Sequence, residues 1–196
     1  DAIFIEQKKI NEVVGSQDQV ATSFGGFNKI IFKKNNFSVK KIKISKSKLD
    51  QLENNLLLVF TGKTRIAPKV AKSYISNISS IDKKLEDIYE SVNTFEKIIK
   101  NGSIDDIGLL LDHTWRIKRT LSKNVSNELL DNVYSVAIRS GAIGGKILGA
   151  GAGGFFLFYA KKENHKKILN NLKKYTNVPF KFDNDGTKII YSGGKN

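Results

Sequence analysis

Gly144-Gly145-Lys146-Ile147-Leu148-Gly149-Ala150-Gly151-Ala152-Gly153-Gly154-Phe155-Phe156-Leu157-Phe158 is the stretch that organises the rest of the chain. Six of its first eleven residues are glycine, and an unbroken apolar run follows at once. Glycine in a regular element is disfavoured by roughly 0.5–1 kcal/mol against alanine, so a cluster this dense must supply positive φ or close backbone approach. Upstream, Ser126 to Ser140 has the pattern of a helix; downstream, Phe155 to Ala160 has that of a strand. The run is therefore expected to be a loop leading from helix to strand.

Gly149, Gly151 and Gly154 fit the spacing G-x-G-x-x-G. The dinucleotide fingerprint needs a strand before its glycines and a helix after them. Here the expected order is the reverse, and that reading fails. Two others stay open. Successive N–H groups of a glycine-rich turn form an anion nest without a helix behind them, and a tight connection between buried elements also uses glycine.

Composition sets the limits. A chain of 196 residues makes one large domain or two small ones, and 40% apolar content marks it as globular. No window approaches the roughly 18 consecutive apolar residues of a membrane span, and no basic-then-apolar leader opens the sequence. Cysteine is absent, which rules out disulfides and thiolate metal sites and suits a reducing compartment; a cytoplasmic location is expected. His113 and His165 lie far apart in sequence, so a histidine-rich zinc site is not expected.

The formal net charge of +14 points to an anionic substrate, an acidic surface or nucleic acid. The densest acid-free patch, Lys29 to Lys48, reads as a hairpin of Ile30–Phe32 and Phe37–Ile44 turned at Asn35-Asn36. Lysines alternating with isoleucines there guard a strand edge against aggregation. No zinc spacing, helix-turn-helix or aromatic RNA-binding signature accompanies them, so nucleic acid is not the expected partner.

Along the chain, Asp1 to Val14 looks like the end of an amphipathic helix, and Gly15 to Phe27 like a loop. Leu56-Leu57-Leu58-Val59-Phe60 reads as a strand buried on both faces. Helices are expected over Ile81–Lys100, Ser103–Leu121 and Ser126–Ser140, the last with Ser126 as N-cap and Gly141 as its stop. After strand Phe155–Ala160 come a helix Glu163–Tyr175, a strand Val178–Phe182, a turn Asp183–Gly186 and a last strand Thr187–Tyr191.

Two further groups of residues bear on chemistry. Thr61-Gly62-Lys63-Thr64-Arg65 resembles the end of a P-loop, but Leu57-Leu58 stand where that motif needs its first glycine. The hydroxyls of Thr61 and Thr64 and the Arg65 guanidinium still follow a buried strand, where they would meet a phosphate. Gly15-Ser16-Gln17-Asp18-Gln19 offers a carboxylate between two amides. Held by hydrogen bonds in a closed site, such an aspartate orients or deprotonates a substrate hydroxyl; in a polar turn it is an ordinary turn residue.

Four blocks occur in a telling order: Gly15 to Asn28, Thr61 to Arg65, Trp115-Arg116-Ile117-Lys118, and Lys146 to Phe155. Together they resemble the GHMP superfamily of small-molecule kinases over nearly the whole chain. Within it, the sequence is most similar to the bacterial D-glycero-D-manno-heptose 7-phosphate kinases, although fucose kinases share the Gln-Asp-Gln turn. The resemblance implies an α+β fold: the end of an N-terminal lobe over 1–48 and a complete ferredoxin-like C-terminal lobe over 49–196. It implies phosphoryl transfer from ATP with Mg²⁺ to a sugar hydroxyl, with a small-molecule sugar phosphate as partner. Asp18 takes the place of the catalytic aspartate. Gly149, Gly151, Gly153 and Gly154 match the loop packed beside the ATP phosphates. Gly25, Gly26, Thr64, Arg65 and Lys118 are the substrate-side candidates. Oligomeric state stays open, a homodimer included.

One departure is large. The family's ATP-binding run, Pro-x-x-x-Gly-Leu-x-Ser-Ser at a helix N-terminus, is nowhere in these 196 residues, nor are its expected metal-holding glutamate and serine. A helix N-terminus of that kind supplies donors and dipole for a triphosphate. The expectation is that the residues present act as part of a kinase, with no more than trace activity alone. The competing reading is a basic, non-catalytic α+β module that binds RNA or another anionic partner.

Overall fold

The computed structural model describes residues 1–11, 15–34, 36–64 and 78–191, with residues 78–80 described by backbone alone. The chain divides into two units, Asp1–Lys43 with the stretch from Lys181 onward, and Ile44–Phe180. Each is taken by itself.

The first unit opens with a helical turn α1 (Ala2–Phe4) that widens into a π-helical stretch over Ile5–Lys9. The expected loop at 15–27 is instead a helix, α2 (Gln17–Phe24). Its polar composition hid it from periodicity: Val20 is its one buried residue. Ser16 occupies the N-cap position and Asp18 the first turn, where the helix dipole favours a carboxylate. Gly25, at φ +59°, ends it. The expected hairpin forms from β1 (Asn28–Lys33) and β2 (Asn36–Lys41), antiparallel with Ile30 opposite Val39 and Phe32 opposite Phe37. Asn35, at its turn, lies outside the described residues, as do Val13 and Val14. The second strand stops short of Ile42–Ile44: the Ile42 N–H turns to the Phe27 carbonyl at 2.8 Å.

The second unit begins with a helix that periodicity missed, α3 (Lys46–Asn55), whose N-cap Ser45 accepts from the Lys48 N–H at 3.3 Å. It runs into β3 (Leu56–Phe60), the expected buried strand, with Val59 wholly shielded. Helices α4 (Ile78–Asn101), α5 (Asp106–Lys118) and α6 (Glu128–Arg139) follow. Then come β4 (Gly144–Ile147), β5 (Phe155–Tyr159), α7 (Lys162–Asn171) and the short β6 (Thr176–Asn177).

The strands form one antiparallel sheet in the order β4-β5-β3-β6. With helices crossing after its first and third strands, this is the split β-α-β-β-α-β arrangement of a ferredoxin-like lobe. Register decides which face is core. Leu57 and Gly145 flank Phe158, and Val59 and Ile147 flank Phe156. The side chains of that face meet Trp115, Leu130, Val133, Ala137 and Ile168 in one apolar cluster. Phe156 and Phe158 are fully buried and stacked, centroids 5.0 Å apart. Burial of each such ring stabilises by roughly 1.5–3 kcal/mol.

Four other expectations are corrected. Gly144–Ile147 is a strand rather than part of a loop, so the glycine run is the turn of a β4–β5 hairpin. A Cβ at Gly145 would lie 2.4 Å from the Phe158 ring, and one at Gly144 would lie 2.0 Å from the Gly108 carbonyl. These two glycines serve packing. The N-cap of α6 is Asn127, which accepts from the Leu130 N–H at 3.1 Å, while the Ser126 hydroxyl donates to Asp131. Helix α7 ends at Asn171 rather than Tyr175. Beyond Val178, whose N–H reaches the Leu58 carbonyl, the expected strands Val178–Phe182 and Thr187–Tyr191 are absent from the described residues. Ile189, Ile190 and Tyr191 have β-forming side chains but no strand to pair with, and all three are exposed.

Candidate functional site

The hairpin turn from Leu148 to Gly154 carries the glycine motif. The Leu148 N–H donates to the Phe155 carbonyl at 2.8 Å and closes its base. Gly149, Gly151 and Gly154 take φ of +66°, +111° and +92°, and Ala152 follows them at +64°. A non-glycine residue held there costs on the order of 1–3 kcal/mol, so the surroundings must impose it. They do so from two sides. The Ala152 N–H donates to the Val125 carbonyl at 2.8 Å, and the Asn127 amide donates to the Ala152 carbonyl at 3.3 Å. The Gly154 N–H donates to the Lys63 carbonyl at 2.9 Å, and the Thr61 N–H and hydroxyl both donate to the Gly154 carbonyl. Gly153 is needed for approach: its Cβ would stand 2.8 Å from the Lys63 carbonyl. Gly149 is exposed at the start of the turn, next to the Leu148–Phe155 closure.

Lys118, a substrate-side candidate, sits at the end of α5 and donates to the carbonyls of Gly149 and Ile147. It braces the turn from below. Thr64 is exposed just beyond Gly62 (φ +71°), and Arg65 lies outside the described residues. Within the second unit, the structure thus gathers Lys118, Thr61 and the four motif glycines around one turn.

The first unit holds Asp18, Gly25 and Gly26. Asp18 is exposed on the first turn of α2, its carboxylate without a hydrogen-bond partner among the described residues; the Thr22 hydroxyl caps its backbone carbonyl at 2.8 Å. The closed, hydrogen-bonded setting expected for it is therefore not what this unit provides. Its neighbour Gln19 is half-buried, donating to Glu6, with its Oε1 shielded and without a hydrogen-bond partner among the described residues. Gly25 and Gly26 face the chain itself. A Cβ at Gly25 would lie 2.2 Å from the Gly186 nitrogen, and the Gly26 N–H donates to the Asp183 carbonyl at 2.6 Å.

The braces Val125 and Lys63 gave no signal in the sequence, because a carbonyl can serve from any residue, and Asn127 gave none because its side-chain partner, the Ala152 carbonyl, is 25 residues away. Lys146 gave no such signal either, because the sequence places it in a loop and the structure in β4. It pairs with Leu157 in register, and burial alone lowers its ammonium below the ordinary lysine range. Elsewhere, Tyr134 links α6 to α5 by donating to Asp112; burial first, then that hydrogen bond, pushes its phenol well up. A groove of about 540 Å³ runs between α4 and α5, lined by Asp87, Glu90, Ile98, Asp106, Leu109 and His113. None of the site residues read from the sequence lines it. No helix among the described residues is long and apolar enough to cross a membrane.

In this ferredoxin-like lobe a braced glycine turn joins the edge strand β4 to its neighbour β5. Residues 95–177 match the family described as "GHMP kinases C terminal". Among curated proteins, it is 32% identical over 191 residues to a D-glycero-alpha-D-manno-heptose 7-phosphate kinase of Campylobacter jejuni subsp. jejuni serotype O:2, covering 94% of this chain and 56% of that protein. It is 28% identical to a bifunctional fucokinase/GDP-fucose pyrophosphorylase of Arabidopsis thaliana, over 69% of this chain and 13% of that protein. The crystal structure of a D-glycero-D-manno-heptose 1-phosphate kinase from Bacteriodes thetaiotaomicron shares its fold, with TM-score 0.71 at 24% identity, over 97% of this chain and 54% of that one. The chain thus spans about half the length of the heptose kinases it matches.

Proposed function

We propose that this chain is the larger part of a sugar kinase that transfers a phosphoryl group from ATP to the anomeric hydroxyl of D-glycero-D-manno-heptose 7-phosphate in the cytoplasm. The observation that supports it most is the coincidence of the braced turn Leu148–Gly154 with 32% identity to a heptose 7-phosphate kinase. Residues 1–48 would complete an N-terminal lobe and 49–196 form the C-terminal one.

Phosphoryl transfer asks a protein mainly for positioning and for compensation of charge. The residues around the turn suit a nucleotide phosphate. Gly149, exposed at the start of the turn, carries no side chain to hold a phosphate off, and Lys118 holds its carbonyl so that the turn need not reorganise on binding. Gly151, Gly153 and Gly154 keep the turn's path. Asp18 would orient the attacking hydroxyl, and Thr64, Arg65, Gly25 and Gly26 would bound the sugar side. Mg²⁺ is a different matter. Among the described residues, no group of three or more His, Cys, Asp or Glu could hold a metal ion. The absence of the Pro-x-x-x-Gly-Leu-x-Ser-Ser run leads to the same reading of the donor side: these residues alone do not turn over.

The test supplies ATP and heptose 7-phosphate to this chain and to a full-length kinase containing it. The chain alone is expected to show no more than trace phosphorylation. In the full-length kinase, Asp18→Asn should lower kcat by roughly 10²–10⁴, the usual contribution of a positioned acid or base, with sugar-phosphate binding retained. Unchanged turnover in Asp18→Asn would sink the assignment.

A further inference from the structure

Helix α4 carries more apolar surface than the chain itself covers. Ile81, Ile98 and Ile99 are buried, and Asp87, Ser91 and Ile98 line the groove toward α5. Leu85, Tyr89 and Val92 do neither: they are 36%, 59% and 44% exposed. Their spacing, four residues and then three, keeps them on one line of the helix, as in a coiled-coil seam. A lone exposed leucine is ordinary, but a continuous apolar line on an otherwise charged helix marks an interaction surface. Glu96, next along the line, holds Lys100 at 2.9 Å and closes the apolar stretch.

The charges beside this line have an order. Asp82 and Glu86 lie toward the N-terminal end of α4, and Lys97 and Lys100 toward its C-terminal end. Asp82 and Lys100 are about five turns apart and Glu86 and Lys97 about three, at about 3.6 residues per turn, so all four fall on the same flank. Asp82, Glu86 and Lys97 are exposed, and their side chains make no hydrogen bond or ion pair among the described residues. A face that reads acidic, apolar, basic is complementary to its own reverse. Self-complementarity of that kind is what a twofold contact between identical chains requires.

We infer that two copies of this chain associate through α4, the two helices running antiparallel about a twofold axis between Tyr89 and Val92. Tyr89 then packs beside the second copy's Val92, and the second copy's Lys97 and Lys100 come level with Asp82 and Glu86. A parallel pairing would set like charges together at both ends. The apolar line supplies the attraction, and the flanking charges fix the orientation. The kinase reading is not needed for this, since the surface belongs wholly to the second unit.

Sedimentation velocity of the full chain over a concentration series is expected to show a monomer–dimer equilibrium. Two double variants carry the test. Asp82→Lys with Glu86→Lys makes both ends of the face basic, and Lys97→Glu with Lys100→Glu makes both acidic. Each alone should weaken the dimer tenfold or more, because like charges then meet at both ends. An equimolar mixture of the two should associate again as a heterodimer, a result that damage to the fold could not produce. Tyr89→Asp, which puts a carboxylate in the seam, should leave a monomer whose thermal unfolding still shows a folded chain. A parent chain that stays monomeric at every concentration overturns the inference. So does a dimer that both charge variants form as readily as the parent, because it would use another surface. Failure of the mixed variants to associate overturns it as well, since the antiparallel match of charges would then be absent.

Discussion

Lys146 carries a consequence for stability that does not depend on any ligand. Burial lowers its ammonium from the usual 10.5. Between the folded and unfolded pKa values the unfolded chain binds the extra proton, so stability rises with pH across that window. Below the folded value, the full cost of the buried charge is present. Lys146→Met removes the charge and keeps a comparable apolar stem. It is expected to raise the melting temperature near neutral pH, by a margin that shrinks as pH approaches 10.5. Melting curves of both proteins from pH 7 to about pH 10.5 check this; a margin constant across the range would mean that shape, not charge, sets the difference. Lys118 makes a useful contrast at the same scale. Its charge is spent on two carbonyls, so its removal should loosen the turn rather than relieve a cost.

At the scale of elements, Asn127 joins two structures that sequence treats as separate. Its side chain accepts from the Leu130 N–H as the N-cap of α6, and its amide donates to Ala152 in the glycine turn. Loss of an N-cap costs about 0.5–2 kcal/mol. Asn127→Ala is expected to lower the unfolding free energy measured by urea titration by that amount and to speed amide exchange at Ala152 as well as at Leu130. Asn127→Ser should restore the cap and the exchange at Leu130, but not that at Ala152. If Ala152 stays protected in both, the Val125 carbonyl holds that N–H without help from Asn127. The same element shows what sequence could and could not reveal. Strands β3 and β5 were legible as short unbroken apolar runs, and helices α4 to α7 because their apolar residues repeat with the period of one buried face. Helices α2 and α3 were not, since each buries a single residue, Val20 or Leu52, and a single residue has no period. Gly144 and Gly145 were misread as loop because the reason for them lies at Gly108 and Phe158, which local sequence does not show. At the site, glycine spacing and the Gln-Asp-Gln turn were visible; the carbonyls that fix the turn were not, because every residue has one.

For the whole molecule, the two units differ in how they can be stable. The second contains a four-stranded sheet with one face closed by Trp115, Leu130, Val133 and Ile168, all fully buried. In the first, the sheet has two strands, and Phe24, Phe32 and Phe37 remain largely exposed while touching one another edge-on or tilted. A two-stranded sheet is marginal in water, because it buries too little apolar area to offset the entropy of ordering its chain. Local opening should therefore be cheap in the first unit and should approach global unfolding in the second. Hydrogen exchange on the intact chain is expected to show the slowest amides at Leu57, Val59, Phe156 and Phe158, with those of Ile30, Phe32 and Val39 exchanging at least a hundredfold faster. A fragment spanning 44–180 should keep the slow set, because the sheet and its core belong wholly to that unit. Equal protection in both units of the intact chain would show that the hairpin draws its stability from outside its own strands, and loss of the slow set in the fragment would show the same of the sheet.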